Sequence, residues 1–390
     1  LLGPIYLSGI PIGAQLLDGT NSNALVWISD GGFVTIVLTD QTDYHAKGVS
    51  GTLYMTTAQY EALQVLPPAD SGDNFSVTVK VTSYEVDDSG VPLTGVPGAE
   101  ATETIKVDVQ AVTDPVEIKI NGADSHDVAI DEDTTLDLSA LLSKSFNDTD
   151  GSEKRSIVIS GLPAGTVVNG TTIDGSGTIT IDLTGGNTIP SITVKPPKDF
   201  SGDITNITVT LTAQDTDSDS SHTPNVESDS VTLNLYVNPV AGDVKVSGVS
   251  TDEDTAVKFL QHLEVTDTDG SETITGITIN AVQSGWVIRD GGGTIVHTGD
   301  GTSDYTISAA DVASKAYENY TITPPAHSSQ DEDISISVET TDTKIVNGSP
   351  ETSVLVTDMD VTVEVAPVAE VVGTDSDGDG TNDLTMNPDF

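Results

Sequence analysis

The chain has no cysteine, few aromatic residues and little positive charge. Without cysteine there is no disulfide, no zinc–thiolate site and no iron–sulfur cluster. Aromatic residues make up 4% of 390 residues, so any core must be built from small aliphatic side chains. Against 14 Lys and Arg stand 61 Asp and Glu, a formal net charge of −47. That sign excludes nucleic acid and anionic membrane surfaces as natural partners. No apolar run approaches the roughly 18 residues that a spanning helix needs, so direct membrane insertion is not expected.

Catalytic signatures are missing too. The six histidines, His45, His126, His222, His262, His297 and His327, are scattered and form no H-E-x-x-H or related metal motif. There is no G-x-S-x-G elbow. The "DGGG" at residues 290–293 is followed by neither a P-loop lysine nor a helix, and reads as a hairpin turn. Trp27 and Trp286 each precede a "DGG" turn and are expected to pack in the core or at a strand edge, not as a sugar platform. Paired carboxylates abound, but a glycosidase needs them converging on a pocket. The chain is therefore expected not to be an enzyme.

What the chain does have is repetition. A double proline occurs at Pro67, Pro196 and Pro324, spaced by 129 and 128 residues. A second marker, "VTDPV", "VNPV" and "VAPV", recurs around Pro115, Pro239 and Pro367, spaced by 124 and 128. "DEDT" begins at Asp131 and Asp252, and "DTDGSE" follows at 148–153 and 267–272. "LSGIPIGAQLLDG" near the start matches "ISGLPAGTVVNG" at 159–170. The organisation read from these markers is a truncated β-sandwich repeat at 1–114, full repeats at 115–238 and 239–366, and the start of a further repeat at 367–390. The sequence opens inside a repeat without a signal-peptide pattern, so a fragment of a longer protein is expected.

Each repeat alternates apolar and polar residues with period two. Phe75, Val77, Val79 and Val81 form one inward set, and Ile207, Val209 and Leu211 another. Val231, Leu233, Leu235 and Val237 follow, then Val361, Val363 and Val365. Such runs, separated by Gly, Asp and Asn, predict antiparallel strands. In units of about 125 residues they predict an all-β chain of tandem immunoglobulin-like β-sandwiches arranged end to end. Short helical turns are expected at 56–63 and 308–319, where Thr or Ser precedes good helix formers.

The acidic clusters are the candidate functional residues. Calcium takes six to eight hard oxygen ligands, and neighbouring carboxylates supply them once a divalent ion lies between. In "DTDGSE" the candidates are Asp148, Asp150 and Glu153, and again Asp267, Asp269 and Glu272. A turn that merely exposes charge is the alternative, but recurrence at the same place in each repeat argues against it. A further acidic site lies 17 or 18 residues after the second proline of the pair: Asp215 with Asp217 in the second repeat, Asp342 in the third. There Lys344 stands where the second repeat has Asp217, so fewer ions are expected around Asp342. "DSDGDGTND" closes the chain. Asp375, Asp377, Asp379 and Asp383 fit the start of an EF-hand-like loop, but Met386 takes the place of its bidentate Glu, so the pattern is nearer to dockerin or thrombospondin type 3 loops.

The ordered set "DEDT…DTDGSE…GLPAG…PPKDFSGD…AQDTD…VNPV" resembles the extender repeats of large bacterial repeats-in-toxin (RTX) adhesins. These are cadherin-like or VCBS-like immunoglobulin-fold modules exported by type I secretion. The resemblance covers nearly the whole chain and is best in the second repeat. It implies a calcium-stiffened stalk at the cell surface that projects an adhesive domain for attachment or biofilm formation. It also implies that linker-proximal acids bind calcium at the junctions: Asp114, Asp131, Glu132 and Asp133, and by repetition Asp252, Glu253 and Asp254. The linkers depart from the family's usual "VNDAP", keeping its Asp only near the first junction. Expected partners are the neighbouring repeats, with surface glycans or proteins reached through other domains. The alternatives are a module that itself binds a glycan or protein, and a component of an S-layer or other assembled surface structure.

Overall fold

The structure is a computed structural model that describes residues 1–40, 51–148, 151–183, 188–216 and 222–369, together with the strands Val371–Thr374 and Asp383–Met386. Three hydrophobic cores are built in succession. Ile36, Leu53 and Trp27 belong to the first, Ile157, Leu211 and Leu235 to the second, and Phe259, Trp286 and Ile336 to the third. The alternation seen in the sequence decides which side chains enter them. Val231, Leu233, Leu235 and Val237 are all buried, as are Ile207, Val209 and Leu211, and Val361, Val363 and Val365. Both tryptophans are buried as well.

Each core lies between two sheets. In the second repeat the larger sheet runs Ser125–Asp131, Glu227–Asn238, Gly202–Gln214, Lys154–Ser160, Ile179–Asp182. In the third repeat Val249–Asp252, Ser349–Ala366, Glu332–Val346, Glu272–Ile279 and Tyr305–Thr306 follow the same order. A smaller sheet covers the other side of each core. In the second repeat it contains Leu136–Asp137, Thr193–Lys195, Val167–Val168 and Thr171–Thr172. One pairing in each larger sheet is parallel: Ser125–Asp131 runs alongside Glu227–Asn238, and Val249–Asp252 alongside the end of Ser349–Ala366. The first repeat has a five-stranded sheet with Ala99–Val107 at its edge and a three-stranded sheet opposite. The chain is a tandem of immunoglobulin-like β-sandwiches.

The motifs are turns with a repeated backbone. After each double proline comes a residue in the left-handed region: Asp70, Asp199 and His327 have φ of 62, 57 and 56°. In "DEDT" the third residue does the same, Asp133 at 57° and Asp254 at 58°. Asp tolerates that region better than most residues, because its short side chain bonds locally to the backbone. The helical turns form as expected. Thr57–Glu61 carries a full capping box from Thr56 and Gln59, and Ala309–Ala313 is capped by Ser308. The "DGGG" segment closes the hairpin between Val287–Arg289 and Ile295–Thr298.

Candidate metal centre

The strand Ser125–Asp131 delivers Glu132 to the exit of the second repeat. The Glu132 amide donates to the Asn238 carbonyl at 2.9 Å, and the left-handed turn at Asp133 sends the chain away. This turn separates the three acids of "DED". Asp131 is exposed and accepts a hydrogen bond from Asn238, and Asp133 forms an ion pair with Lys195 at 3.4 Å. Glu132 alone is buried. Its Oε1 accepts the Val240 amide at 2.7 Å, in the linker to the third repeat, while Oε2 has no hydrogen-bond partner.

Two acids of the third repeat meet it there. Carboxylate oxygens of Glu132, Asp267 and Glu272 all lie within 4.8 Å of one another. Asp267 sits at the start of the "DTDGSE" turn and accepts the Asp269 amide at 3.0 Å. Glu272 opens the strand Glu272–Ile279, and its register partner is Asp342 on Glu332–Val346. Asp342 is fully buried. Both its carboxylate oxygens and both of Glu272 lack hydrogen-bond partners. Like charges directly opposite across strands are destabilising, and buried unpartnered carboxylates more so.

The electrostatics carry the same message. Burial, then the fields of Asp267, Asp342 and Asp269, push Glu132 up to about 7, with the Val240 amide partly offsetting them. Glu272 is pushed up to about 8 by burial, then by the adjacent Asp267 carboxyl and by the charges of Asp342, Asp267 and Glu132. Burial raises Asp267 as well. A group of hard oxygens that cannot all ionise alone is suited to a divalent cation, and the donor set fits calcium.

The junction is also stitched by hydrogen bonds that the sequence reading did not single out. Asp199, in the turn after the second double proline, accepts from the Thr268 amide at 3.2 Å and from its hydroxyl at 2.8 Å. Lys198 lies 2.6 Å from the same carboxylate. Ser201 donates to Asp269, and the Asn347 amide donates to Asp203 at 2.8 Å. A cavity of about 290 Å³ between these elements is lined by Glu132, Asp199 and Asp267. The signal for Asp199 was present: it lies in the "PPKDFSGD" segment that follows a marker of the repeat.

The remaining candidates fall elsewhere. Asp269 is not in the cluster of three; it accepts from Ser271 and lies 3.7 Å from Lys344. Asp148, Glu153 and Asp215 are buried together in the second repeat at the position equivalent to Asp267, Glu272 and Asp342. Arg155 reaches Glu153 at 2.7 Å and the Asp148 carbonyl at 3.0 Å. Asp114 and Asp215 line a cavity against Pro67 and Pro68 of the first repeat. Glu253 copies Glu132, accepting the Val368 amide at 2.6 Å, while Asp252 is exposed and Asp254 pairs with His327. Asp150, Asp217, Asp375, Asp377 and Asp379 lie outside the described residues, and for Asp383 only the strand is described.

No protein-family model and no curated protein matches the chain. Among solved structures it is similar to the human desmocollin-1 ectodomain, at 9% identity and a TM-score of 0.30, over 80% of this chain and 52% of that one. It therefore spans about half the length of that ectodomain. Drosophila N-cadherin EC1-4 is 11% identical with a TM-score of 0.19, over 93% and 69% of the two chains. The chicken CNTN1 FN1-FN3 domains are 9% identical with a TM-score of 0.23, over 92% and 98%. At these scores the β-sandwich assignment rests on the strand topology itself. No helix among the described residues is long and apolar enough to cross a membrane.

Proposed function

We propose that this chain is a segment of a calcium-stiffened extracellular stalk of a bacterial surface adhesin, which projects an adhesive domain for attachment or biofilm formation. The observation that carries the reading is the meeting of Glu132 from one repeat with Asp267 and Glu272 from the next. An ion held by ligands from both sides ties the two sandwiches together. Glu132 holds the linker through Val240 with one oxygen and offers the other to the cation. Glu272 and Asp342 present their oxygens from the sheet, and Asp267 presents its own from the turn. Calcium, when bound, supplies the positive charge that lets these carboxylates ionise while buried. The millimolar calcium outside cells is within the range that weak extracellular modules use. The role involves no reaction. The partners it needs are the neighbouring repeats, and targets are engaged by other domains. The resemblance in motif order supports a cell-surface location reached by type I secretion.

Small-angle scattering tests the stalk. A sandwich is roughly 35–40 Å long. Three units end to end therefore give a rod with a radius of gyration of about 30–35 Å, against about 21 Å for one compact globule of this length. In millimolar calcium the expected value is the larger, with chelator allowing the units to hinge. A value near 21 Å in calcium overturns the reading.

A further inference from the structure

The second and third repeats carry the same buried pocket with different contents. Pairing of Lys154 with Gln214 and of Thr273 with Thr341 brings the two repeats into register. Asp148, Glu153 and Asp215 then correspond to Asp267, Glu272 and Asp342. In the same register Arg155 corresponds to Ile274. Arg155 is buried, with its guanidinium on Glu153 and on the Asp148 carbonyl and 4.4 Å from the centre of the Phe146 ring. Asp215 is engaged by the Ser152 hydroxyl at 2.5 Å, and its amide donates to Thr113 in the linker from the first repeat. The third repeat has an aliphatic side chain where the cation would be, and its Asp342 and Glu272 oxygens are left without partners.

We propose that Arg155 is the resident cation of the second repeat's acidic pocket, so that the junction to the first repeat closes without calcium while the junction to the third repeat requires it. The inference rests on the calcium reading of the Glu132, Asp267 and Glu272 cluster. A guanidinium fixed on a covalent stem occupies the space and the charge that a metal ion would need, and it cannot be chelated away. It follows that the unequal calcium sites run opposite to what Lys344 alone suggests. Lys344 reaches Asp269 on the turn, not the Glu272 and Asp342 pair.

Reciprocal exchange in the full 390-residue chain tests this, with calcium chloride titrated calorimetrically into chelator-stripped protein. Arg155→Ile should gain one equivalent of bound calcium, lost again when Glu153→Gln is added. Ile274→Arg should lose one equivalent. Glu153→Gln in the otherwise unaltered chain should leave the calcium count unchanged. If Arg155→Ile does not fold without the ion, its recovery by calcium, read by circular dichroism, supports the proposal. Failure to recover counts against it. Loss of a calcium equivalent in Glu153→Gln with Arg155 intact overturns it. Failure of Glu272→Gln to lose calcium would instead sink the stalk reading, and so the two ideas fail separately.

Discussion

Glu272 and Asp342 face each other across two antiparallel strands, and none of their four carboxylate oxygens has a hydrogen-bond partner. The fold holds this repulsive pair in place because both strands run on into the core at Ile277, Ile279, Ile336 and Val338.

Replacing the charge of that pair should separate stability from calcium response. Asp342→Asn removes a buried, uncompensated carboxylate, so in chelator it should stabilise the chain by about 1–3 kcal/mol. In millimolar calcium the same change should destabilise it relative to the parent. Thermal unfolding in both conditions checks the change of sign.

Glu132→Gln removes the ligand that comes from the second repeat. It keeps an oxygen for the Val240 amide, so the linker hydrogen bond survives. Calcium affinity should fall about tenfold or more, equivalent to about 1.4 kcal/mol, while the cores stay intact. Calorimetry with a far-ultraviolet spectrum of each variant decides this.

The pH dependence has a definite sign. Glu132 at about 7 and Glu272 at about 8 lie above the ordinary 4.5 in the folded chain. The folded state therefore binds more protons than the unfolded state between these values, and their destabilisation grows as pH rises from about 5 to about 8. In chelator the melting temperature should fall over that interval. Calcium should remove most of the fall, as should the Glu132→Gln, Glu272→Gln double variant. Melting curves with equal slopes in calcium and chelator would refute the shared site.

Leu235→Ala provides a contrast. Leu235 is fully buried in the second core, away from the acidic clusters. The change should cost about 2–5 kcal/mol, with the same loss in calcium and in chelator. Denaturant titration in both conditions measures it.

The strands were legible because period-two alternation reports burial directly, and Val231 to Val237 fell on the core side as their pattern requires. The site was legible in composition but not in grouping. "DED" looks like one set of ligands until the left-handed turn at Asp133 sends its members apart. "DTDGSE" and the acid near the end of the long strand look like separate sites until the ladder pairs Glu272 with Asp342. Arg155 drew no attention, because an arginine two residues after an acidic motif looks exposed until its strand turns it inward.

The parallel pairing of Ser125–Asp131 with Glu227–Asn238 has a consequence for a chain under tension. The first of these strands comes early in the repeat's sequence and the second comes last, and both run side by side toward its exit. A pull on the two ends loads the ladder in shear, so its rungs resist together and do not unzip one by one. The second repeat has seven paired positions in this clamp, and the third, between Val249–Asp252 and the end of Ser349–Ala366, has four. In a stretched molecule without calcium the third repeat therefore yields before the second, and it is also the repeat that has Ile274 where the second has Arg155.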